Sequence, residues 1–385
     1  MILNDKITFH KAITTSREFF QENKGIKCVH YGDIYKNYSG KTVPSSKIIN
    51  SFINPVAPEK ILYCDSIIVP DVTETVDDWG HFTYIKYDGT PYINGTHAIA
   101  LTSESEAELQ YVFRYLSSLY NRKRLQSLLN GSTVFQISIK DFGKFFLENY
   151  HDNPAAQSHI VDILGSIDEK IELLEKEVDS IKVLRESIYK QEFVVDAENN
   201  PQNYVKIKLS DIMDYAGGSQ PPASQFINES KEGYIRFLQI RDYENDNHIT
   251  YIPISKKNKL CDEWDILIAR YGASLGRICS GKVGAYNVAL AKVIPTKPYY
   301  REFLRTYVST REFYTALNNK GERSAQAGFN QGDIDTFVLY FPIDESKVSD
   351  YEEKAKILYE RVLITTKEIE KLNELKMYYL DAFFK

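Results

Sequence analysis

The stretch QSHIVDILGSIDEKIELLEKEVDSIKVLRESIYKQEF, residues 157–193, decides the fold of this 385-residue chain. Its apolar residues recur at steps of three and four, the spacing of a coiled-coil seam. Pro154 precedes the stretch and Asn199-Asn200-Pro201 follows it, so a long helix is predicted between these boundaries. A second stretch, EKAKILYERVLITTKEIEKLNELKMYYLDAFF at residues 353–384, repeats the apolar pattern when it is shifted by 191 residues.

The two helical stretches are expected to pack together, in antiparallel orientation, because each alone would leave an apolar stripe in water. Thr365 is a polar interruption of the second stripe. The alternative for each stretch is a surface helix that packs on its own domain. The predicted seam residues are Ile167, Ile171, Leu174, Val178, Ile181 and Ile188 in the first helix, and Leu358, Val362, Ile369, Leu372 and Tyr379 in the second.

The chain also resembles itself upstream of the two helices. The matches occur in the same order in both halves, and their offset changes by small steps, as insertions in loops would produce. We therefore expect a globular unit followed by a long helix, with the whole arrangement occurring twice. The matched segments are Ile137–Phe142 with Phe329–Ile334, Asp65–Val69 with Asp265–Ala269, and Ile26–His30 with Ile235–Gln239.

The predicted fold class is α+β, with two repeated globular domains separated and followed by long helices that pack as an antiparallel coiled coil. No doubly wound sheet is evident. The predicted segments are a first globular domain at 1–153, a central helix at 154–198, a second globular domain at 199–346 and a C-terminal helix at 347–385.

Local patterns place a few elements within the globular domains. Apolar and aromatic runs predict strands at Ile61–Tyr63 and Tyr234–Leu238. Helices are predicted at Glu106–Leu129 and Tyr300–Leu317, each followed by a polar loop and a strand. Turns are predicted at Asp88-Gly89, Asn94-Gly95 and Gly217-Gly218.

The net charge of −6 argues at first against a nucleic-acid partner. However, residues 154–196 hold ten acidic and five basic side chains, so this segment carries most of the excess. Residues 266–305 carry seven Lys/Arg against Glu302 alone, and residues 110–147 carry six against Asp141 alone. Such local basic regions can neutralise phosphates in an acidic protein, although solvated helix faces would give the same pattern.

No catalytic motif is found. Pro221-Pro222 lacks the neighbours of a base-flipping methyltransferase motif, and Tyr35 stands where a phosphate loop ending at Gly40-Lys41-Thr42 would need its first glycine. Pro70-Asp71 is followed by no lysine of a magnesium-dependent nuclease. The chain is therefore predicted not to be an enzyme, and to hold no catalytic residue, metal or cofactor.

The cellular setting follows from similar absences. No apolar run approaches membrane-spanning length and the N-terminus is polar, so a cytoplasmic protein without a membrane partner is expected. The four cysteines have no metal-ligand spacing and are predicted to be buried thiols.

Several segments resemble the specificity (S) subunit of Type I restriction-modification systems. Pro154–Leu164, running into Ile167–Ile171, is similar to the stretch that opens the family's central conserved helix, with Ala156 in place of the usual glutamate. Gly217–Pro221 resembles the family's Gly-Gly-Thr-Pro turn, and Ser324–Asn330 resembles its polar loop before the last strand. The first half departs more, since it lacks the Gly-Gly-x-Pro turn and its polar loop at 131–136 is shorter.

This resemblance implies a sequence-specific DNA-recognition role. Each globular domain would be a target-recognition domain that reads one half of a bipartite, asymmetric site in double-stranded DNA. The paired helices would set the spacing and dock two copies of the DNA methyltransferase (modification) subunit, with restriction/translocase subunits joining through the complex. S-adenosylmethionine, ATP and magnesium would then belong to the partner subunits.

The residue types of two loops fit base recognition. Arginine can read guanine edges, and glutamine and asparagine suit adenine. Ordinary surface polarity is the alternative for each residue. The candidate DNA-binding residues are Lys41, Arg122, Lys123, Arg124, Gln136 and Lys140 in the first domain, and Ser219, Gln220, Arg241, Arg270, Tyr271, Arg277, Arg323, Gln326, Asn330 and Gln331 in the second.

Two other functions remain open from the sequence. One is a stand-alone DNA-binding or regulatory protein with a coiled-coil dimerisation element. The other is a scaffold that does not bind DNA, in which case the basic regions would be incidental and salt-dependent DNA binding would be absent.

Overall fold

The computed structural model describes residues 2–4, 6–22, 24–77, 79–149, 153–244, 246, 248–321, 329 and 331–385. These residues form two compact units. Unit 1 consists of residues 1–172 and 370–385, and unit 2 of residues 173–369. Each long helix therefore contributes one part of its length to each unit.

The described residues of unit 1 form twelve strands and begin the first long helix. Its helices are α1 (Tyr31–Asp33), α2 (Glu106–Ser117), α3 (Leu119–Gln126), α4 (Ile139–Asn149) and α5 (Pro154–Tyr189), the last of which continues into unit 2. Its strands are β1 (Ile2–Asn4), β2 (Ile7–His10), β3 (Phe20–Glu22), β4 (Ile26–Val29), β5 (Thr42–Pro44), β6 (Asn50–Phe52), β7 (Ser66–Pro70), β8 (Val72–Thr73), β9 (Thr83–Lys86), β10 (Tyr92–Asn94), β11 (Ala98–Ser103) and β12 (Phe135–Gln136).

The part of unit 2 that the structure describes contains ten strands and begins the second long helix. Its helices are α6 (Asp196–Asn199), α7 (Arg301–Ser309), α8 (Arg311–Gly321), α9 (Gln331–Ile334) and α10 (Ser346–Phe384), whose end returns to unit 1. Its strands are β13 (Tyr204–Lys208), β14 (Met213–Gly217), β15 (Tyr234–Leu238), β16 (Tyr251–Pro253), β17 (Leu260–Cys261), β18 (Ile266–Ala269), β19 (Ile278–Cys279), β20 (Gly284–Tyr286), β21 (Leu290–Pro295) and β22 (Val338–Pro342).

The two units share a sheet topology, as the colinear repeat predicts. In unit 1, β11 lies between β2 and β7 and is antiparallel to both. In unit 2, β21 lies in the same way between β14 and β18. A second sheet repeats as well: β4 is parallel to β10 and antiparallel to β6, and β15 is parallel to β20 and antiparallel to β16. The mixed α+β class is confirmed.

In each unit, the central sheet separates two apolar cores, one on each of its faces. Ile67 and Val69 of β7 pack into one apolar cluster, and Ile68, on the other face, packs into a second. Side chains alternate across a strand, so a run of apolar residues can fill two cores at once. Ile266 and Leu267 of β18 divide in the same manner between two clusters of unit 2.

Two predicted helices are each broken in two. Ser118 has an extended backbone (φ −62°, ψ 141°) and its hydroxyl accepts a hydrogen bond from the backbone N–H of Asn121, so α2 ends and α3 begins there. Thr310 separates α7 from α8 with the same conformation (φ −68°, ψ 150°) and caps the N–H of Phe313. Continuous helices over Glu106–Leu129 and Tyr300–Leu317 were wrong, because a hydroxyl side chain inside an apolar pattern served as an N-cap.

The prediction of a strand at Ile61–Tyr63 was also wrong. Only Leu62 pairs, through an isolated bridge to Tyr92, and Tyr63 is exposed. The run follows a tight turn at Pro58–Lys60 and makes one reciprocal pair of backbone hydrogen bonds before it leaves the sheet. The strand predicted at Tyr234–Leu238 is β15.

The first long helix buries the early part of its predicted seam. Ile167, Ile171, Leu174 and Val178 are buried, whereas Ile181 and Ile188 are only partly buried. Beyond residue 189 the chain continues as a π-helical segment, Lys190–Val195, whose Phe193 is buried.

In the second helix the buried stripe is shifted by one residue from the predicted seam. Its predicted seam residues Leu358, Val362, Ile369, Leu372 and Tyr379 are all only partly buried. Buried instead are Tyr351, Ala355, Tyr359, Leu363 and Leu380, together with Thr365. The helix packs against the globular cores as well as against the other helix, so its buried stripe is turned toward those cores.

The helices run antiparallel to each other within each unit. In unit 2, Arg361 pairs with Glu177 and Lys354 pairs with Glu192. The later residue of one helix thus pairs with the earlier residue of the other, which shows that the helices are antiparallel. In unit 1, Leu380 and Phe384 share a core with Ile160 and Leu164. Among the described residues, no helix is both long and apolar enough to cross a membrane.

Candidate nucleic-acid interface

Three loops of unit 2 meet at one edge of the β14-β21-β18 sheet. Because neighbouring strands are antiparallel, the ends of β14 and β18 lie beside the beginning of β21. Backbone hydrogen bonds tie the loops together, from Gly218 N to Leu290 O at 3.0 Å and from Arg270 N to Ala289 O at 2.8 Å. The fold thereby brings Ser219, Gln220, Arg270 and Tyr271 to the same edge.

Arg270 is held by aromatic rings and leaves donors unused. Its guanidinium lies 5.0 Å from the ring centroid of Tyr271 and 5.9 Å from that of Tyr215. Nη1 donates to Val288 O at 3.4 Å, and Nε is buried without a hydrogen-bond partner among the described residues, so the N–H groups left to donate outward are those of Nη2 and the second hydrogen of Nη1. Burial raises the pKa of the Tyr215 hydroxyl while the positive charge of Arg270 opposes the change, so Tyr215 is a neutral surface for the cation. The side chain is therefore oriented but still able to donate.

Glycine is required where the turn crosses the sheet edge. A Cβ on Gly218 would lie 2.0 Å from the carbonyl oxygen of Asn287, and a Cβ on Gly217 would lie 3.1 Å from Nη1 of Arg270. The Gly217-Gly218 pair thus allows the turn to pass directly over the loop before β21. Ser219 follows with its N–H bonded to Tyr286 O at 3.1 Å, and Gln220 is exposed.

The other candidates of unit 2 have different surroundings. Arg277 forms an ion pair with Glu244 and donates to Tyr243 O at 3.1 Å, so its charge is compensated. Arg241 is exposed on a 3-10 turn, Ile240–Tyr243. Arg323, Gln326 and Asn330 lie outside the described residues, and Gln331 begins α9 with a side chain that is not described.

One contact places Phe329 beside Tyr215. The ring of Phe329 lies 5.7 Å from the ring of Tyr215. Tyr215 in turn faces Arg270. Phe329 is therefore beside the cluster at the sheet edge.

Two of the basic candidate residues of unit 1, Arg122 and Arg124, pack against neighbouring parts of the unit. Arg122 lies across Gly80, where a Cβ would be 2.2 Å from its Cγ. Arg124 lies over the rings of Tyr120 and Phe145, each at 5.2 Å. Lys41, Lys123 and Lys140 are exposed.

Gln136 reaches the sheet edge of unit 1. It pairs with Val72 in the short β8-β12 ladder, and the next residue, Ile137, donates its N–H to Asp71 O at 3.1 Å. Asp71 immediately follows β7, as Arg270 immediately follows β18. Asp71 and its partner His97 were not among the residues predicted from the sequence, although the match of Asp65–Val69 with Asp265–Ala269 pointed to this place.

The thiols are mostly buried, with one exception. Burial raises the pKa of Cys28, Cys261 and Cys279 to about 12, which leaves them unreactive. Cys64 is exposed, so the prediction that all four cysteines are buried was wrong for this residue. Within the described residues, no group of three or more His, Cys, Asp or Glu side chains is placed to hold a metal ion.

Comparison with known proteins gives matches at the levels of sequence and fold. Residues 20–183 match the family model of the Type I restriction modification DNA specificity domain. The structure is similar to that of the Type I restriction-modification system S subunit from M. genitalium, at 14% identity and a TM-score of 0.57, covering 100% of this chain and 95% of that one. No curated protein matches in sequence.

Two further solved structures are matched at lower structural similarity. The HsdS subunit from Thermoanaerobacter tengcongensis is 15% identical with a TM-score of 0.34, covering 91% of this chain and 92% of that one. A chain from a structure of complex assembly in the Type I R-M system is 15% identical with a TM-score of 0.40, covering 100% and 99%. These two likenesses are too low to support any argument.

The described residues form two units with the same sheet topology, and each unit includes parts of both long helices. Residues 20–183 are thus similar to the Type I restriction modification DNA specificity domain, and the fold is similar to that of an S subunit of such a system.

Proposed function

We propose that each globular unit reads one half of a bipartite, asymmetric site in double-stranded DNA. The observation that carries this proposal is the repeated sheet edge, which has the same strand order in both units but different side chains. In unit 2 the edge presents Arg270 beside the Gly217-Gly218 turn, which packs directly on the loop before β21. Guanidinium groups so placed can donate to guanine in the major groove.

We assign the catalytic steps of methylation and cleavage to partner subunits. The chain itself would be non-catalytic, and S-adenosylmethionine, ATP and magnesium would be bound by the methyltransferase and restriction/translocase subunits. The low reactivity of the buried thiols and the use of the conspicuous arginines in packing and ion pairs support a binding role rather than a catalytic one.

The long helices would dock two copies of the methyltransferase subunit. Apolar side chains are left exposed on both helices within unit 2, including Leu173 and Val183 on α5 and Ile357 and Ile364 on α10. Ile357 and Ile364 are seven residues apart and so lie on the same face of their helix. Exposed apolar residues in a helical repeat are typical of a surface that a protein partner covers.

The experiment is an exchange of one recognition unit. Residues 200–345 would be replaced by the second unit of another specificity subunit, and the methylated motif would be sequenced in cells that carry the complete system. One half-site should change while the other is retained. If both halves changed together, the assignment of one half-site to each unit would be wrong.

The same cells distinguish the stand-alone alternative. A chain that purifies without a methyltransferase and directs no methylation, but binds DNA as its own dimer, would support a regulatory protein instead. Binding that does not weaken with added salt, or no binding, would favour a scaffold.

A further inference from the structure

His97 has a backbone conformation that is unusual for its residue type. Its φ is +59°, and it is the one described residue other than glycine with a positive φ. Non-glycine residues in this region carry a steric cost, and they persist where the surrounding structure enforces them. The imidazole is about half exposed, so burial of the ring does not explain the conformation.

Several contacts hold His97 in place. Its Nδ1 lies 2.8 Å from Oδ1 of Asp71, and its backbone carbonyl accepts the N–H of Asp71 at 3.2 Å. The preceding residue, Thr96, is bound through four hydrogen bonds to Thr15. The ring of Tyr31 meets the His97 ring edge-to-face at 5.6 Å. The loop is thus fixed on both sides of the imidazole.

The Asp71–His97 pair of unit 1 occupies the position that corresponds to Arg270 in unit 2. Asp71 follows β7 and donates its N–H to the residue just before β11; Arg270 follows β18 and donates its N–H to Ala289, just before β21. His97 therefore corresponds to Ala289, and Asp71 to Arg270. The helical turns beside the two pairs also correspond, because His30 with Asp33 and Gln239 with Asp242 form the same capping box.

The hydrogen-bonding character of the two edges is opposite. Arg270 offers only donors. Asp71 uses Oδ1 for His97, and its Oδ2 makes no hydrogen bond with any described residue. In the tautomer whose Nδ1–H donates to the carboxylate, Nε2 of the imidazole is an acceptor. With that tautomer, the edge of unit 1 presents two acceptors, Nε2 of His97 and Oδ2 of Asp71.

We propose that Asp71 and His97 are specificity-determining residues of unit 1 and read the exocyclic amino group of an adenine or cytosine in the first half-site. In the major groove those two bases present N–H donors, at N6 and N4, whereas guanine and thymine present acceptors at the corresponding positions. The left-handed backbone aims the imidazole outward, and the bond to Asp71 fixes its tautomer. This inference rests on the proposed function, in which unit 1 reads one half-site.

The test uses His97→Gly and Asp71→Asn in the complete restriction-modification system. Glycine adopts a positive φ without steric cost, so the first variant removes the imidazole without straining the loop. The second keeps the shape of the side chain but replaces one acceptor oxygen with an NH₂ donor. For each variant, the methylated motif is sequenced and the Tm of the purified chain is measured.

Both variants should relax the same base pair of the first half-site. Discrimination at that position should fall about 10- to 100-fold, as expected for loss of one good base contact. The second half-site should be unchanged, and the Tm of His97→Gly should not fall below that of the wild type. His159→Ala, which removes an exposed histidine from α5, is the matched control and should leave the motif unaltered.

Two results would overturn the inference. One is an unaltered motif in both variants; the other is a loss of methylation at every site together with a lowered Tm for His97→Gly, which would show a structural role. The exchange of residues 200–345 tests the proposed function separately. If that exchange changes one half-site and the His97 and Asp71 variants change none, the proposed function stands and this assignment fails.

Discussion

Lys376 near the end of the second long helix places its Nζ 2.6 Å from Oδ1 of Asp168 in the first. The other oxygen of that carboxylate pairs with Arg114 of α2, whose side chain is almost fully buried. Asp168 thus joins three helices of unit 1 through one carboxylate. Arg114 Nε has no hydrogen-bond partner among the described residues, so the guanidinium depends on Asp168 for compensation.

Replacing Asp168 should therefore destabilise unit 1 more than replacing Lys376. Asp168→Ala leaves the buried Arg114 charge unpaired, at a cost of about 3 kcal/mol in the free energy of unfolding. Lys376→Ala removes a better solvated partner, at a cost of about 1 kcal/mol or less. Urea denaturation of the three proteins would measure both effects, and equal losses would contradict the dominant role of Arg114.

The stability of unit 2 should fall in acid. Hydrogen bonds from Lys297 and Tyr299 lower the pKa of Glu345 to about 2, and the ion pair with Lys347 lowers that of Asp196 to about 2. In the unfolded chain these carboxylates have pKa values near 4. Their contribution is therefore fully present above that range and is lost as pH falls toward 2, because the unfolded state then binds more protons.

The variant Glu345→Gln isolates one of these contributions. The difference in unfolding free energy between wild type and variant should be largest at pH 5 to 7 and should shrink toward pH 2. Denaturant titrations at four pH values would measure it. A difference that stays constant with pH would contradict the role of the ionised carboxylate.

Arg270 and Arg277 should differ in their effect on DNA binding, although both lie in one loop. Arg270→Ala removes a cation with unused donors and should weaken discrimination in the second half-site by about 1–3 kcal/mol. Arg277 is compensated by Glu244, so Arg277→Ala should have a smaller effect. Fluorescence anisotropy with matched and mismatched duplexes, at one fixed salt concentration, would compare them. A larger effect of Arg277 would place the interface elsewhere in the loop.

Charges on the exposed helix face should prevent assembly without unfolding the chain. Ile357→Glu and Val183→Glu alter side chains that are about two-thirds exposed, so the Tm should change little. Co-purification with the methyltransferase subunit should be lost, because the charge would be buried at the interface. Thr366→Glu, which adds the same charge at an exposed position nine residues from Ile357 and so on the opposite side of the same helix, is the control. Normal assembly of both apolar variants would exclude this face as the docking surface.

A matched heptad insertion should lengthen the spacer of the methylated motif. Seven residues inserted after 172 and seven after 369 fall between the ion pairs of unit 1 and those of unit 2, and keep each apolar stripe in phase. The half-sites should be retained. A two-residue insertion at the same places should instead impair assembly. Methylome sequencing checks both, and an unchanged spacer after the heptad insertion would show that helix length does not set it.

Much of the fold follows from local patterns that tertiary contacts reinforce. The long helix at Pro154–Tyr189 and strand β15 were predicted from the sequence, because an apolar period or an apolar and aromatic run fixes the element type. The breaks at Ser118 and Thr310 were not, because the choice between helix interior and N-cap depends on how the next helix packs.

The sequence alone determined that the chain is a repeat of a globular unit and a long helix, since colinear self-similarity and heptad spacing are written in residue order. Only the tertiary structure decided which residues share a site. It set Arg270 against Tyr215 and turned Arg277 toward Glu244, and it joined Asp71 to His97, 26 residues away. It also turned the buried stripe of the second helix from Leu358 to Tyr359. The physical reason is that strand pairing and core packing depend on partners distant in the chain, and these choose among side chains that look alike in the sequence.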